Sequence, residues 1–339
     1  MYTDNPKIQS QISTWLAFMF WLISLMIIVG GLTRLTDSGL SITQWQLFSG
    51  ILPPITNDDW VYYFDLYKEI PEFKLQNFSM TMGEFKIIFW WEWIHRFLGR
   101  LIGLAFLIPL IFFTFKINFR RLISLYFIFA LICFQGFIGW YMVSSGLVDR
   151  VDVSHYRLSI HLFVAFLILT CLFWNVLNFK DGNNKKFFSN SSNFYSIKIL
   201  IILTFLQIIF GAFVSGLDAG RIYQTWPSMN GSFIPNDIDI KNFSEFFNFD
   251  NRSIVQFIHR NLAYIILIFI IYIGYSIRKI HQSELYKPYF YLLFFVFLQI
   301  FLGILTLISN LNMIIASAHQ ISSIFLIIFC INLYHKSIN

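Results

Sequence analysis

The chain has 339 residues, 57% of them hydrophobic and only 12% charged. That proportion excludes a large soluble core and predicts an integral membrane protein. The net charge of +6 is not a nucleic-acid signal, because the basic residues sit in short connections beside apolar runs, so nucleic acid is excluded as a partner.

Apolar runs near the ~20-residue spanning length fall in chain order at about 15–33, 94–115, 121–143, 157–177, 195–216, 255–276, 287–309 and 312–335. The first is long enough to span and is followed by no clear small-residue cleavage site, so it is not read as a removable signal. Runs of this length satisfy their own backbone groups in lipid only as helices, which predicts an all-α integral membrane protein with eight transmembrane helices. Lys116, Arg120 and Arg121 mark one connection, Lys180, Lys185 and Lys186 another, and Arg278, Lys279 and Lys287 a third. Positive charge marks the cytoplasmic side, so these connections and both termini are expected there. The two long connections, about 34–93 and 217–254, then lie outside, with four basic against eight acidic residues and three against five. Cys133, Cys171 and Cys330 all fall within the predicted helices, where a thiol is expected as a small buried hydrophobe rather than half of a disulfide.

The chain repeats itself. Ile94-His95-Arg96 recurs as Ile258-His259-Arg260, an offset of 164 residues, and Gln135 and Gly139 recur as Gln299 and Gly303 at the same offset. Before the long loop, Asp37, Gly39, Trp45 and Gly50 match Asp218, Gly220, Trp226 and Gly231 at an offset of 181. The difference gives the first outer loop about 17 extra residues. With four helices per half, both starting on one side, the expected architecture is two pseudo-twofold-related four-helix bundles, residues 1–180 and 181–339.

Each half carries two histidines near the outer ends of its predicted spans, His95 with His161 and His259 with His319. Polar groups in lipid are costly and need partners. Two imidazoles facing each other across a bundle are what a heme iron needs for axial ligation. All four lie at one depth, which speaks against a stack of hemes conducting electrons across the bilayer. His155, His281 and His335 have no repeat counterpart and are expected in solvent. Glu92 stands three residues before His95, where the second half has Gln256. On one helix face with its histidine, Glu92 can act over a bound macrocycle as a base or a stabiliser of positive charge, which an amide cannot. This makes the first half the reaction site and the second the seat of a resident redox cofactor. The competing reading of Glu92 is an i,i+4 surface ion pair with Arg96 of little consequence. Arg96, Arg100 and Arg260 would suit heme propionates, although for Arg100 plain interfacial placement is preferred.

These residues resemble the heme A synthase family in its long-loop proteobacterial and mitochondrial branch, over nearly the whole chain. The most specific pieces are GGLTRLTDSGLSITQW at 30–45, FWWEWIHRFLGRLIG at 89–103, GLDAGRIYQTWPSMNG at 216–231 and VQFIHRNLAY at 255–264. The resemblance implies substrate heme O in the N-terminal bundle, flanked by His95 and His161 with Glu92 essential beside it. It implies a heme b cofactor in the C-terminal bundle on His259 and His319. The implied reaction turns the C8 methyl of heme O into the formyl of heme A by successive hydroxylations, for terminal oxidase assembly. Candidate partners are heme O synthase, cytochrome oxidase assembly factors, an unidentified electron partner and a second copy of the chain. The location implied is the cell inner membrane, or the mitochondrial one in a eukaryote. Some relatives carry a cysteine pair in an outer loop, and this chain has none there. The alternative is a di-heme membrane cytochrome b for quinone-linked electron transfer. A transporter is disfavoured because the helices hold no acidic residue at the membrane centre.

Overall fold

The computed structural model describes residues 3, 5–45, 49–148, 150–182, 185–188, 195–238 and 243–338. They form α1 (Pro6–Leu35), α2 (Asn57–Lys68), α3 (Pro71–Leu75), α4 (Met82–Thr114), α5 (Phe119–Gly146), α6 (His155–Lys180), α7 (Tyr195–Gly216), α8 (Arg252–Lys279), α9 (Tyr286–Ile308) and α10 (Met313–Ser337). Among the described residues there is no strand, only an isolated bridge between Met229 and Ser232. All but α2 and α3 are long and apolar enough to cross a membrane, eight in all. The protein is therefore an all-helical, multi-pass membrane protein.

Side-chain caps set several of the helix starts. Asn118, Asn251 and Asn312 each accept a backbone N–H of the first turn, opening α5, α8 and α10. Helix α4 begins at Met82 rather than near 94. Thr81 and Glu84 close a reciprocal capping box there, and Phe85, Ile88 and Phe89 on its first turns are buried.

Contacts divide the chain into two compact units, Trp21–Ala165 and Met1–Phe20 with Phe166–Asn339. In the first unit the long connection between α1 and α4 is a folded lobe. A second capping box, Thr56 with Asp59, opens α2, whose residues Trp60, Phe64 and Tyr67 recur at helical spacing on one face. That face packs with Ile70, Phe85, Ile88 and Phe89 in a core that also takes in Leu40, Ile42, Met142 and Val153. Ring pairs such as Trp60 with Phe89 at 5.1 Å and Phe64 with Phe85 at 4.9 Å fill it. Glu72 is buried beside this core at 3% exposure, and desolvation, reinforced by the charge of Glu92, pushes its pKa up to about 8. It is therefore mostly protonated at neutral pH.

In the second unit α7 packs on α8 and α9 on α10, while α7 also touches α10 and α8 touches α9. Helices α8 and α10 thus stand at opposite corners of a four-helix bundle. The expectation that His155 and His335 are solvated is wrong: they are 3% and 0% exposed. His335 is covered because α10 runs on to Ser337. Its ring lies edge-on to Trp174 at 4.9 Å, and its Nε2 is 2.9 Å from Asn178 Oδ1. His155 packs against the Tyr156 ring at 4.1 Å. His281 is exposed, as expected. The three thiols are free; Cys330 is buried, Cys171 intermediate and Cys133 exposed, so only the first matches the expected burial.

Candidate heme sites

The first pair comes together within one unit. His95 on α4 and His161 on α6 face each other with ring centroids 6.4 Å apart and planes at 77°. With metal–nitrogen bonds of about 2.0 Å and roughly 1.1 Å from nitrogen to ring centre, two imidazoles on opposite sides of one metal ion would put their centroids about 6.2 Å apart. The observed spacing fits one metal ion between the rings. Among the described residues no three His, Cys, Asp or Glu side chains converge. A macrocycle that fills the other four positions suits such a two-ligand set, whereas a closed protein-only centre needs three or four ligands.

Glycines on the neighbouring helices make room for each ring. A Cβ built on Gly30 of α1 would lie 3.2 Å from His95 Nε2, and one on Gly139 of α5 would lie 3.1 Å from His161 Cε1. The second unit repeats this: Gly211 of α7 stands against His259 of α8 at 3.2 Å, and Gly303 of α9 against His319 of α10 at 3.0 Å. Any larger residue would press on the ring edge that carries the nitrogens. Gly30 and Gly211 obey the 181-residue offset of the repeat, the signal by which sequence reading could have found them.

Glutamines hold the histidine backbones. Gln135 Nε2 donates to the His161 carbonyl at 3.0 Å, Gln207 Nε2 to that of His259 at 3.1 Å, and Gln299 Nε2 to that of His319 at 3.0 Å. The position matching Gln207 in the first half is Met26, whose methyl packs 3.6 Å from where a Gly99 Cβ would stand. His319 Nδ1 lies 3.0 Å from the Gln299 carbonyl oxygen. A carbonyl only accepts, so Nδ1 carries the proton and Nε2 carries the lone pair, against which the Gln299 amide nitrogen rests at 3.5 Å. His259 and His319 occupy the opposite-corner helices of their bundle. His95 lies 13 residues after the start of α4, against 6 for His161, 7 for His259 and 6 for His319 in their own helices. The difference is the N-terminal stretch of α4 that belongs to the lobe.

Glu92 is 2% exposed and its carboxylate is fully engaged. Oε2 accepts from Ser41 Oγ at 2.7 Å and from the Ile42 backbone N–H at 2.7 Å. Oε1 accepts from Arg96 Nε at 3.0 Å and Nη2 at 2.5 Å. The same guanidinium donates to the carbonyls of Ile42 at 2.7 Å and Gln44 at 3.1 Å and lies over the Trp45 ring at 5.1 Å. The ion pair with Arg96 thus exists, but buried, and it staples the loop at 41–45 onto α4. In the second half the staple is neutral. Gln256, 1% exposed, donates from Nε2 to the Tyr223 carbonyl at 2.8 Å, and Tyr223 is the repeat counterpart of Ile42 (42 + 181). Arg260 Nη2 donates to the Pro227 carbonyl at 2.9 Å. Arg100 lines a small cleft with Arg96, Trp93, Phe89, Tyr63 and Gln44.

Comparison with known proteins places these features in a family. The family described as COX15-CtaA, cytochrome oxidase assembly protein, matches residues 13–331. The chain is 48% identical to the heme A synthase of Pelagibacter ubique over 344 aligned positions, covering 100% of both chains. It is 42% identical to that of Rickettsia bellii, over 97% of this chain and 100% of the relative. It is 43% identical to that of Maricaulis maris, over 96% of each.

The glycine contacts give a direct test. Gly303→Val puts a branched side chain where even one carbon would stand 3.0 Å from His319 Cε1, and it should lower bound heme per protein by about tenfold or more in affinity. Gly136→Val on α5, where a Cβ meets nothing within 4 Å, should leave heme content near normal in a pyridine hemochrome assay.

Proposed function

Because the chain belongs to the COX15-CtaA family of cytochrome oxidase assembly proteins, we propose that it is a heme A synthase, an oxidoreductase that converts the C8 methyl of heme O to the formyl of heme A. The observation that carries this reading is the facing pair His95 and His161 at 6.4 Å, in the half that also holds an acid beside the pair. Two hydroxylations give a geminal diol that loses water. Each withdraws two electrons from the methyl carbon, so an electron partner is required. His95 and His161 position heme O from its two faces, and Glu92, fixed by Ser41, Ile42 and Arg96, holds negative charge beside the reacting macrocycle.

The C-terminal half, 181–339, holds the cofactor. The donor set of His259 and His319, with the proton of His319 held on Nδ1 by the Gln299 carbonyl, fits a heme b, which when bound supplies a one-electron redox centre. The chain's own part is to order the two helices around it: Gln207 and Gln299 pin the histidine backbones, and Gly211 and Gly303 let the rings approach. The membrane is the bacterial inner membrane, with the histidine sites toward its outer face and both termini in the cytoplasm.

The decisive experiment is extraction of pigment from cells that also supply heme O, with and without this protein. Heme A should appear only with it; heme b alone, without formyl-bearing pigment, would favour the di-heme cytochrome. In the same assay Glu92→Gln should cut heme A yield by ~10²–10⁴ if the acid handles protons, or stabilises charge to a similar degree. Near-normal yield at normal protein level would reduce Glu92 to a staple of the loop.

Replacing His259 or His319 by Ala should deplete tightly held heme b and destabilise the C-terminal half, since ligation orders its bundle. Unchanged heme content and absorption spectra in both variants would defeat this assignment.

Reporter fusions at about 118 and 282 should read cytoplasmic, and those at about 65 and 238 external. A fusion at about 183, which lies outside the described residues, should also read cytoplasmic. Inversion at any two sites would overturn the outer placement of the histidines.

A further inference from the structure

Each half places an arginine directly after a histidine of its pair, yet the two are used differently. Arg96 is taken up by an acid: Glu92 receives its Nε and Nη2, and loop carbonyls receive further N–H groups. Arg260 has no acid partner: its Nη2 donates to the carbonyls of Pro227 at 2.9 Å and Ser228 at 3.5 Å, and the Tyr264 hydroxyl lies against the guanidinium. The residue four before it is Gln256, whose amide turns to the Tyr223 carbonyl. Asp237, the nearby acid of the second loop, is occupied by the Tyr223 hydroxyl at 2.6 Å and Ser253 Oγ at 2.5 Å. Among the described residues Arg260 forms no ion pair, and its Nη1 is buried without a hydrogen-bond partner. Buried donors in folded proteins almost always find acceptors, so this Nη1, on a half-buried side chain, is a donor waiting for an acceptor.

Resting on the reading that His259 and His319 hold a resident heme, we infer that Arg260 retains that heme by binding one of its propionate carboxylates, and that the Glu92/Gln256 difference decides which half keeps its macrocycle. In the C-terminal half the amide leaves Nη1 of the arginine available, and a guanidinium–carboxylate contact through it would add a charge-assisted anchor to the hold of His259 and His319. In the N-terminal half Glu92 neutralises Arg96 and fills the N–H groups that would otherwise bind a propionate. The macrocycle there lacks that anchor, as a substrate that must enter and a product that must leave require. One acid-to-amide exchange in a duplicated frame thus separates a turnover site from a cofactor site.

The test is transfer of heme from purified, detergent-solubilised full-length protein to excess apomyoglobin, followed by absorbance. Arg260→Gln should speed loss of heme b at least about tenfold, the effect of removing a charge-assisted hydrogen bond. Gln256→Glu should do the same by capturing Arg260. The double variant should lose heme no faster than Arg260→Gln alone, because the new acid then has nothing to capture. A role of residue 256 in stapling the loop alone would instead give additive losses. In protein loaded with heme O by co-expression of a heme O synthase, Glu92→Gln should slow heme O transfer about tenfold, a gain that misfolding does not produce. Wild-type rates of heme b loss in Arg260→Gln, additive losses in the double variant, or heme O release from Glu92→Gln at or above the wild-type rate would each overturn the inference. Unchanged loss in Arg260→Gln would also be the outcome if the arginine instead held a lipid phosphate. Absence of heme b from the wild-type protein is a separate result, which defeats the resident-heme reading before any substitution is made.

Discussion

An imidazole set among apolar helices can serve a metal only if one ring nitrogen is left uncommitted and nothing else fills the space in front of it. In lipid no water stands in as a partner, so the surrounding helices must supply every constraint. The four glycines and three glutamines around the histidines answer that demand. Gly30, Gly139, Gly211 and Gly303 bring a neighbouring backbone against the ring edge where any side chain would collide. Gln135, Gln207 and Gln299 reach the histidine carbonyls, and the amide nitrogens of Gln207 and Gln299 also lie 3.4 Å and 3.5 Å from Nε2 of His259 and His319. For His319 the protonated nitrogen faces a carbonyl, which makes the other nitrogen a better donor to iron.

Duplication lets one half serve as a control for the other. Asp37 and Asp218 both take the left-handed conformation, with φ of 48° and 50°, a region that Asp tolerates better than most residues. Trp45 and Trp226 remain comparably exposed, at 44% and 45%. Against that matched frame the departures stand out. Met26 replaces the glutamine that holds the His259 backbone, and Glu92 replaces Gln256. Both fall in the half read as the substrate site, and the first removes a fixed partner from beside the histidine.

Much of this was legible from residues alone. The eight spans follow from hydropathy, and the 164-residue offset pairs His95 with His259 and Glu92 with Gln256, while His161 and His319 are matched by their place near the start of a span. The lobe between α1 and α4 was not legible, because its helices α2 and α3 are short and carry no spanning signal. The Thr81–Glu84 capping box was present in the sequence, but the apolar run beginning near residue 94 masked it, which is why α4 begins 12 residues earlier than expected. Burial of His335 was hidden for a different reason. It depends on Trp174 and Asn178 of α6 meeting the last turn of α10, a contact between segments 157 residues apart (335 − 178) that no local pattern announces. Saturation of the Glu92 carboxylate likewise required Ser41 and Ile42, some 50 residues away, to fold back onto α4.

The ionic form of the first staple is not explained by stability. Burying a carboxylate and a guanidinium costs solvation that their attraction regains only with good geometry, and neutral replacements are often as stable. The second half shows such a replacement in place, since Gln256 fastens its loop through a single amide–carbonyl hydrogen bond. Were fastening the only requirement, the same amide would serve in the first half. What the acid adds there is a fixed negative charge three residues before His95 and a neutralised Arg96 beside it. Both consequences are electrostatic, and under the proposed function both bear on a macrocycle held by His95 and His161. On that reading the reason for Glu92 lies in the macrocycle's chemistry and its passage through the site, not in the fold that holds it.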